Sequence, residues 1–249
     1  MSLQLSKNIK IVLVGTTHPG NIGATARAMK TMGLYKLALV QPKIYPDAEA
    51  TARASGADDI LADASVHDNF YESIADCHFV FGTSTRERSI PWPLYNPEQA
   101  AEKTLELLST GSTIALVFGR ESSGLANEEL ELCNAMIQIQ TNPGFSSLNI
   151  ASAVQIISYE IYKGLSTADE EGENGADDIE LVSNEQLQQL YIHLEQCLVD
   201  IDYLDPEKPR RLMRRLKRMI NRSGLDSNEY NIVRGILSAA QEAAKKQGD

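Results

Sequence analysis

Short apolar runs, each breaking into a polar or glycine-rich turn, alternate with helix-patterned stretches over the first 150 residues. The runs are Ile11–Val14, Leu37–Val40, Phe79–Phe81, Ile114–Phe118 and Met136–Ile139. Helical spacing fills the intervals: Ile22, Ala26 and Met29 up to a stop at Gly33, then 47–55, 70–75 and 97–108. Strands that do not alternate with polar residues are covered on both faces, and intervening helices supply the crossovers that parallel neighbours require. The expected fold is therefore α/β, a parallel sheet with helices on both faces. In such sheets ligands settle beyond the carboxyl ends of the strands. That is where the turns fall: Asn21-Ile-Gly-Ala-Thr-Ala-Arg27, Gly82-Thr-Ser-Thr-Arg86, Phe118-Gly-Arg-Glu-Ser-Ser-Gly-Leu125 and Asn142-Pro-Gly-Phe-Ser-Ser-Leu-Asn149.

Leu148 to Tyr162 reads as a last helix of this domain, apolar nearly all round, and a helix of that kind is buried in a core or an interface. Ser146 or Ser147 is the expected cap of that helix. The pattern then changes. Residues 165–180 carry Asp169, Glu170, Glu171, Glu173, Asp177, Asp178 and Glu180 and no base, which reads as a flexible linker. Residues 181–249 are purely helical in pattern. Ser183 and Gln186 form a capping box, Pro209 suits the first position of a second helix, and Asp226 opens a third. The expected organisation is a domain over 1–164, the linker over 165–180 and a tethered helical extension over 181–249.

The net charge of −11 argues at first against nucleic acid, but the distribution reverses that reading. Lys208, Arg210, Arg211, Arg214, Arg215, Lys217, Arg218 and Arg222 fall within 208–222 without an acid among them, and local charge decides where a polyanion binds. No apolar run approaches the roughly 20 residues that span a bilayer, and Met1–Lys7 lacks a signal-peptide core, so a cytoplasmic protein without membrane contact is expected. Cys77, Cys133 and Cys197 are scattered, as are the histidines, so no disulfide framework and no metal site is expected.

Each turn has a bland reading and a functional one. The first is not a P-loop, since no Lys-Ser/Thr follows its glycines. It is not the dinucleotide fingerprint either, because the spacing fails and the second strand ends at Gln41 without a ribose-binding acid. What remains is Asn21 at a helix start and Arg27 two turns in, which alone reads equally as a surface arginine. Arg120 and Glu121 read blandly as a surface ion pair, with Asn127 capping the helix that follows. Trp92, between two prolines, suits an anchor. No Ser-His-Asp set can be assembled, which disfavours hydrolysis.

Taken together, Asn21-x-Gly23-x-x-x-Arg27, Phe118-Gly-Arg-Glu-x-x-Gly-Leu125 and Ser146-Ser-Leu-Asn149 resemble the three motifs of the SpoU branch of the SPOUT methyltransferases, in the family's order, over residues 9–162. The helical extension is similar to that of the bacterial tRNA (cytidine/uridine-2′-O-)-methyltransferases in that branch. The resemblance implies a deep trefoil knot at the C-terminal end of the sheet and S-adenosylmethionine bound there. Cofactor positions carry over to Thr83, Ser84, Thr85, Gly119, Ile139, Ser146, Ser147 and Leu148. Catalytic positions carry over to Arg27, supported by Asn21, Glu121, Ser147 and Asn149. It implies methyl transfer to a ribose 2′-hydroxyl of tRNA, at cytidine or uridine 32 of the anticodon loop, by a homodimer in which Arg27 of one subunit faces the cofactor of the other. Arg210, Arg211, Arg214, Arg215 and Arg218 are then the expected phosphate contacts. The alternatives are a relative acting at another tRNA position or on ribosomal RNA, and a non-catalytic RNA-binding protein on the same fold.

Overall fold

The computed structural model describes residues 6–84, 92–171, 181–206 and 211–247. A single 3-10 turn, Ser6–Asn8, leads into β1 (Ile9–Val14), α1 (Pro19–Thr31) and β2 (Lys36–Val40). Two short helices, α2 (Ala48–Ala54) and α3 (Asp58–Ala62), precede β3 (Ser65–His67), α4 (Phe70–Ile74) and β4 (Phe79–Thr83). Then come β5 (Leu94–Tyr95), α5 (Pro97–Ser109), β6 (Ile114–Phe118), α6 (Asn127–Leu130), β7 (Ala135–Ile137) and α7 (Ile150–Glu171).

The strands form one sheet in the order β3-β2-β1-β6-β4-β7-β5, every pairing parallel. β1 lies at its heart: Ile11 sits opposite Leu37 on one side and Leu116 on the other. Its side chains alternate between two cores, as the pleat requires. Ile9, Ile11 and Leu13 join α1, α2, α5 and α7 on one face, while Val12 and Val14 join Phe70, Ile74, Leu125 and Leu130 on the other. α7 packs against α1 and α5. Among the described residues no helix is long and apolar enough to cross a membrane.

The sheet is wider than the sequence suggests. β3 and β5 are edge strands of three and two residues, too short to carry a period, and α3 is a single turn and a half. The last helix of the domain starts at Ile150 rather than Leu148, because its cap is Asn149, whose Oδ1 accepts from the Ala151 N–H at 2.9 Å. Ser146 and Ser147 stay in the loop before it. That helix also continues to Glu171, through the first part of the stretch expected as linker, and Leu165 is buried against the core. The remainder, 172–180, lies outside the described residues.

The C-terminal helices are α8 (Asn184–Asp200), α9 (Leu212–Ser223) and α10 (Ser227–Gln247), with Pro209 outside the described residues. The capping box at Ser183 forms in both directions: Gln186 N–H donates to Ser183 Oγ at 3.3 Å and Ser183 N–H to Gln186 Oε1 at 2.8 Å. Leu187, Leu190, Tyr191, Leu194, Cys197, Ile220 and Leu237 make a core of their own. The unit is more than tethered: it is docked on the first domain through polar groups. The Asn184 N–H and Nδ2 both donate to Cys77 O, at 2.9 and 3.0 Å. Asn221 Nδ2 donates to Glu131 O at 3.0 Å, and Asn134 Nδ2 donates to Asn221 O at 3.1 Å. Asn134 Oδ1 in turn accepts from Val80 N–H in β4 at 2.8 Å. The Tyr191 hydroxyl donates to Asn221 Oδ1, and burial pushes that phenol well above its ordinary range.

Candidate active site

The loop after β1 sets the geometry. Gly15 takes a left-handed φ of +62°, and its N–H donates to Val40 O at 2.8 Å. His18 caps α1 by accepting the Gly20 N–H on Nδ1 at 3.2 Å, with Pro19 at the first helical position, where a missing N–H costs nothing. This presents Thr17 and Asn21 at the C-terminal edge of the sheet.

Glu121, on the loop after β6, fills the space opposite them. Its carboxylate accepts from Thr17 N–H and Thr17 Oγ1 at 3.2 Å and from Asn21 Nδ2 at 3.0 Å. Asn21 Oδ1 accepts from Asn149 Nδ2 at 2.9 Å, and Asn149 caps α7 with its own oxygen. Four side chains thus tie three loops together, and the acid fixes which way each amide points. Partial burial pushes the Glu121 carboxyl up, but hydrogen bonds from Asn21, from its own backbone and from Thr17 outweigh it, so the group ionises below its ordinary value.

A carboxyl with a depressed folded pKa stabilises the fold fully above its unfolded pKa, and that contribution is lost as pH falls through the folded one. Glu121→Gln replaces an acceptor oxygen by a donor facing other donors. Its melting temperature should fall by a few degrees at neutral pH. The gap to the parent should close as melts are repeated below the ordinary carboxylate range; a gap independent of pH would show that the charge is immaterial.

The adjacent arginine does not pair with Glu121. Arg120 makes a two-pronged pair with Glu129, Nη1 to Oε2 at 3.0 Å and Nη2 to Oε1 at 2.9 Å. Glu129 Oε2 also accepts from Ala126 N–H at 2.7 Å. Ala126 therefore holds the capping position of α6, and Asn127 is its first helical residue rather than its cap. Residues 120 and 124 exchange backbone hydrogen bonds in a tight turn closed by Gly124 at φ +70°. Gly119 faces this turn so closely that a Cβ would lie 2.2 Å from the Gly124 carbonyl carbon.

Beneath the turn lies a cavity of about 300 Å³. Thr83, Ser84, Gly119, Ile139, Ser146, Ser147 and Leu148 all line it; Thr85 lies outside the described residues. Its apolar floor comes from Phe118, Ile137, Ile150 and Ala153, and Ser122, Ser123 and Thr141 add hydroxyls at the rim. Sequence reasoning missed these. The floor residues look like any core strand or helix, while the Ser122-Ser123 pair inside the glycine-rich turn was a usable signal. A mixed cavity of this size, with a few placed polar groups, is what small-molecule sites look like.

The structure brings Asn21, Glu121 and Asn149 together and places Ser147 on the cavity wall. It leaves Arg27 outside: exposed on α1, not among the cavity residues, and without a hydrogen-bond or ion-pair partner among the described residues. The basic helix is divided. Arg211 and Arg215 are exposed. Arg214 forms an ion pair with Glu131 of the first domain at 2.8 Å, and Arg218 lies over the Trp92 ring at 5.9 Å. Trp92 is an anchor, its Nε1–H donating to Cys133 O at 3.3 Å. Arg210 lies outside the described residues.

Residues 8–159 match the model of the SpoU rRNA Methylase family, and residues 185–249 match that of the tRNA methyltransferase TrmJ, C-terminal domain. The chain is 49% identical over 244 residues to the tRNA (cytidine/uridine/adenosine-2′-O-)-methyltransferase TrmJ of Pseudomonas aeruginosa, covering 95% of each. It is 42% identical over 240 residues to the tRNA (cytidine/uridine-2′-O-)-methyltransferase TrmJ of Photorhabdus laumondii, covering 96% of this chain and 99% of that one. Among solved structures, TrmJ from Z. mobilis ZM4 aligns with a TM-score of 0.80 at 34% identity, over 92% of this chain and 97% of that one.

Proposed function

The chain belongs to the SpoU rRNA methylase family, and from that premise we propose that it methylates the ribose 2′-hydroxyl of tRNA in the cytoplasm, at cytidine or uridine 32 of the anticodon loop, using S-adenosylmethionine. The observation that carries this reading is the joining of Asn21, Glu121 and Asn149, drawn from three distant motifs, beside the cavity under Gly119. The cavity suits the cofactor. Its apolar floor matches an adenine ring, the hydroxyls of Thr83, Ser84, Ser122, Ser123, Ser146 and Ser147 match a ribose and an amino-acid tail, and the Gly119–Gly124 contact keeps side chains off a wall where backbone meets ligand.

The bound cofactor supplies an electrophilic methyl on sulfonium. The chain's part is alignment and charge. Glu121 stays ionised and holds Thr17, Asn21 and the start of α7, so the cavity wall and α1 keep one spacing. The guanidinium of Arg27 offers donors and no acceptor, so it is no base; its forked donors hold the ribose hydroxyl and the neighbouring phosphate, and the phosphate or solvent takes the proton. Because Arg27 stands outside its own cavity, the reading includes a homodimer in which the partner subunit's Arg27 completes the site. The exposed Ile156, Tyr159 and Tyr162 on α7 are the proposed contact face. It also includes the family's knot, supported by β7 lying between β4 and β5, which precede it in sequence. Arg211 and Arg215 meet RNA phosphates, whereas Arg214 and Arg218 serve chiefly to hold α9 in place. Alanine at Arg211 or Arg215 would then weaken tRNA binding uniformly and lower its salt dependence; an unchanged salt slope would remove α9 from the interface.

The test is transfer of labelled methyl from S-adenosylmethionine to unmodified bulk tRNA, mapped by nucleotide. Label on the 2′-oxygen at position 32 supports the whole reading. Label at another nucleotide keeps the chemistry and corrects the target. Absence of label on any RNA sinks it.

A further inference from the structure

Phe145 is 78% exposed, more than any other large apolar side chain among the described residues. Leaving a ring of that size in water forgoes about 1.5–3 kcal/mol of burial, so its position calls for a reason. The loop does not put it there by slackness. Asn142 Oδ1 accepts from Gly144 N–H at 2.9 Å, Asn142 O accepts from Phe145 N–H at 2.9 Å, and Thr141 Oγ1 donates to Ser146 O at 3.4 Å. The backbone on both sides of Phe145 is pinned. Its neighbours Thr141, Ser146 and Ser147 line the cofactor cavity and Phe145 does not, so the ring stands at the lip.

Resting on the RNA methyl-transfer reading, we propose that Phe145 is the platform on which the base of the target nucleotide stacks. A ribose whose 2′-oxygen reaches a methyl in this cavity must carry its base just outside the mouth, because the base is attached to the carbon beside C2′. That nucleotide has to leave the stack of its own strand to enter, and an aromatic face replaces the contact it gives up. Stacking makes no demand on base edges, since every base has a π-face. A site that positions the base this way accepts more than one base, and the two methyltransferases matched above are named for two and for three different bases.

The test compares the parent chain with Phe145→Ala, Phe145→Leu and Phe145→Trp, on intact tRNA and on a tRNA carrying an abasic ribose at the target nucleotide. Phe145→Ala should lower kcat/KM on intact tRNA by roughly 5- to 150-fold. Affinity for S-adenosylmethionine, melting temperature and oligomeric mass should stay as in the parent. Phe145→Trp should keep most of the activity and Phe145→Leu should not. On the abasic substrate the parent should drop to the level of Phe145→Ala, and Phe145→Ala should lose little more. The proposal is overturned if Phe145→Leu matches the parent, if Phe145→Ala stays within twofold, if the two losses multiply on the abasic substrate, or if the variant dissociates into monomers, which would make the ring a subunit contact. A parent chain that puts no label on any ribose overturns the methyl-transfer reading itself and this proposal with it; a labelled ribose with an indifferent Phe145 overturns this proposal alone.

Discussion

Arg27→Ala is expected to lower kcat/KM for tRNA methylation by roughly 100- to 1,000-fold, the usual loss when one charge-stabilising donor leaves an active site, with cofactor affinity and melting temperature unchanged. The structure supports the split. Arg27 is exposed and has no hydrogen-bond or ion-pair partner among the described residues, so stability has little to lose. It lines no part of the cavity, so cofactor binding has little to lose either. Arg27→Lys keeps the charge but not the two-pronged fork, and should recover only a small part of the rate. Steady-state kinetics beside a calorimetric titration with S-adenosylmethionine would check all three statements. The proposed homodimer makes a further prediction for mixed dimers. A subunit bearing Arg27→Ala combined with one whose cavity is blocked at Gly119 should regain about half of one parental dimer's activity, because one composite site stays whole. No regain in the mixture would place Arg27 in the site of its own chain.

The second large effect is on the fold. Gly23→Ala would put a Cβ 1.9 Å from Ala50 O, 2.8 Å from Ala50 C and 3.0 Å from its Cα. These are backbone atoms of α2 and cannot swing aside, so α1 and α2 must separate. A cost of about 3 kcal/mol is expected, or roughly 6–12 °C in melting temperature for a chain of this size. Activity should fall as well, since α1 carries both Asn21 and Arg27. Gly33→Ala is the control: it has the same chemistry with nothing within 4 Å of the added carbon, and a left-handed φ of +67° that costs only about 1–2 kcal/mol. If the two variants melt together, the close approach of α1 and α2 is wrong.

What could be read before the structure follows a physical line. β1, β2, β4, β6 and β7 announced themselves because buried strands must be continuously apolar. β3 and β5 did not, because edge strands of two or three residues show no period. The motif residues were visible as residue types at turns, but their partners were not. Glu121 has Arg120 beside it in the chain and Thr17 and Asn21 104 and 100 residues away, and only folding shows that the distant pair holds it. The capping of α7 misled for a similar reason: Ser146 and Ser147 are sound caps in isolation, and Asn149 takes the position because the same amide also reaches Asn21. In α9 the abundance of arginine was plain, whereas the commitment of Arg214 to Glu131 depends on a docking that no local pattern encodes.

That docking has a consequence for the history of the architecture. Beside the Arg214–Glu131 ion pair and Arg218 over Trp92, the seam between the domain and the C-terminal helices carries amide and carbonyl contacts: Asn184 on Cys77, Asn221 on Glu131, and Asn134 on Asn221. Water can stand in for every one of those partners, while Leu187, Leu190, Tyr191, Leu194, Cys197, Ile220 and Leu237 of the appended helices are gathered into a core of their own. A gene lacking the appendage would therefore encode a catalytic unit with a wettable flank rather than a sticky one. Gain or loss of the module is a change that selection can test in one step, without first having to repaint the surface it leaves behind.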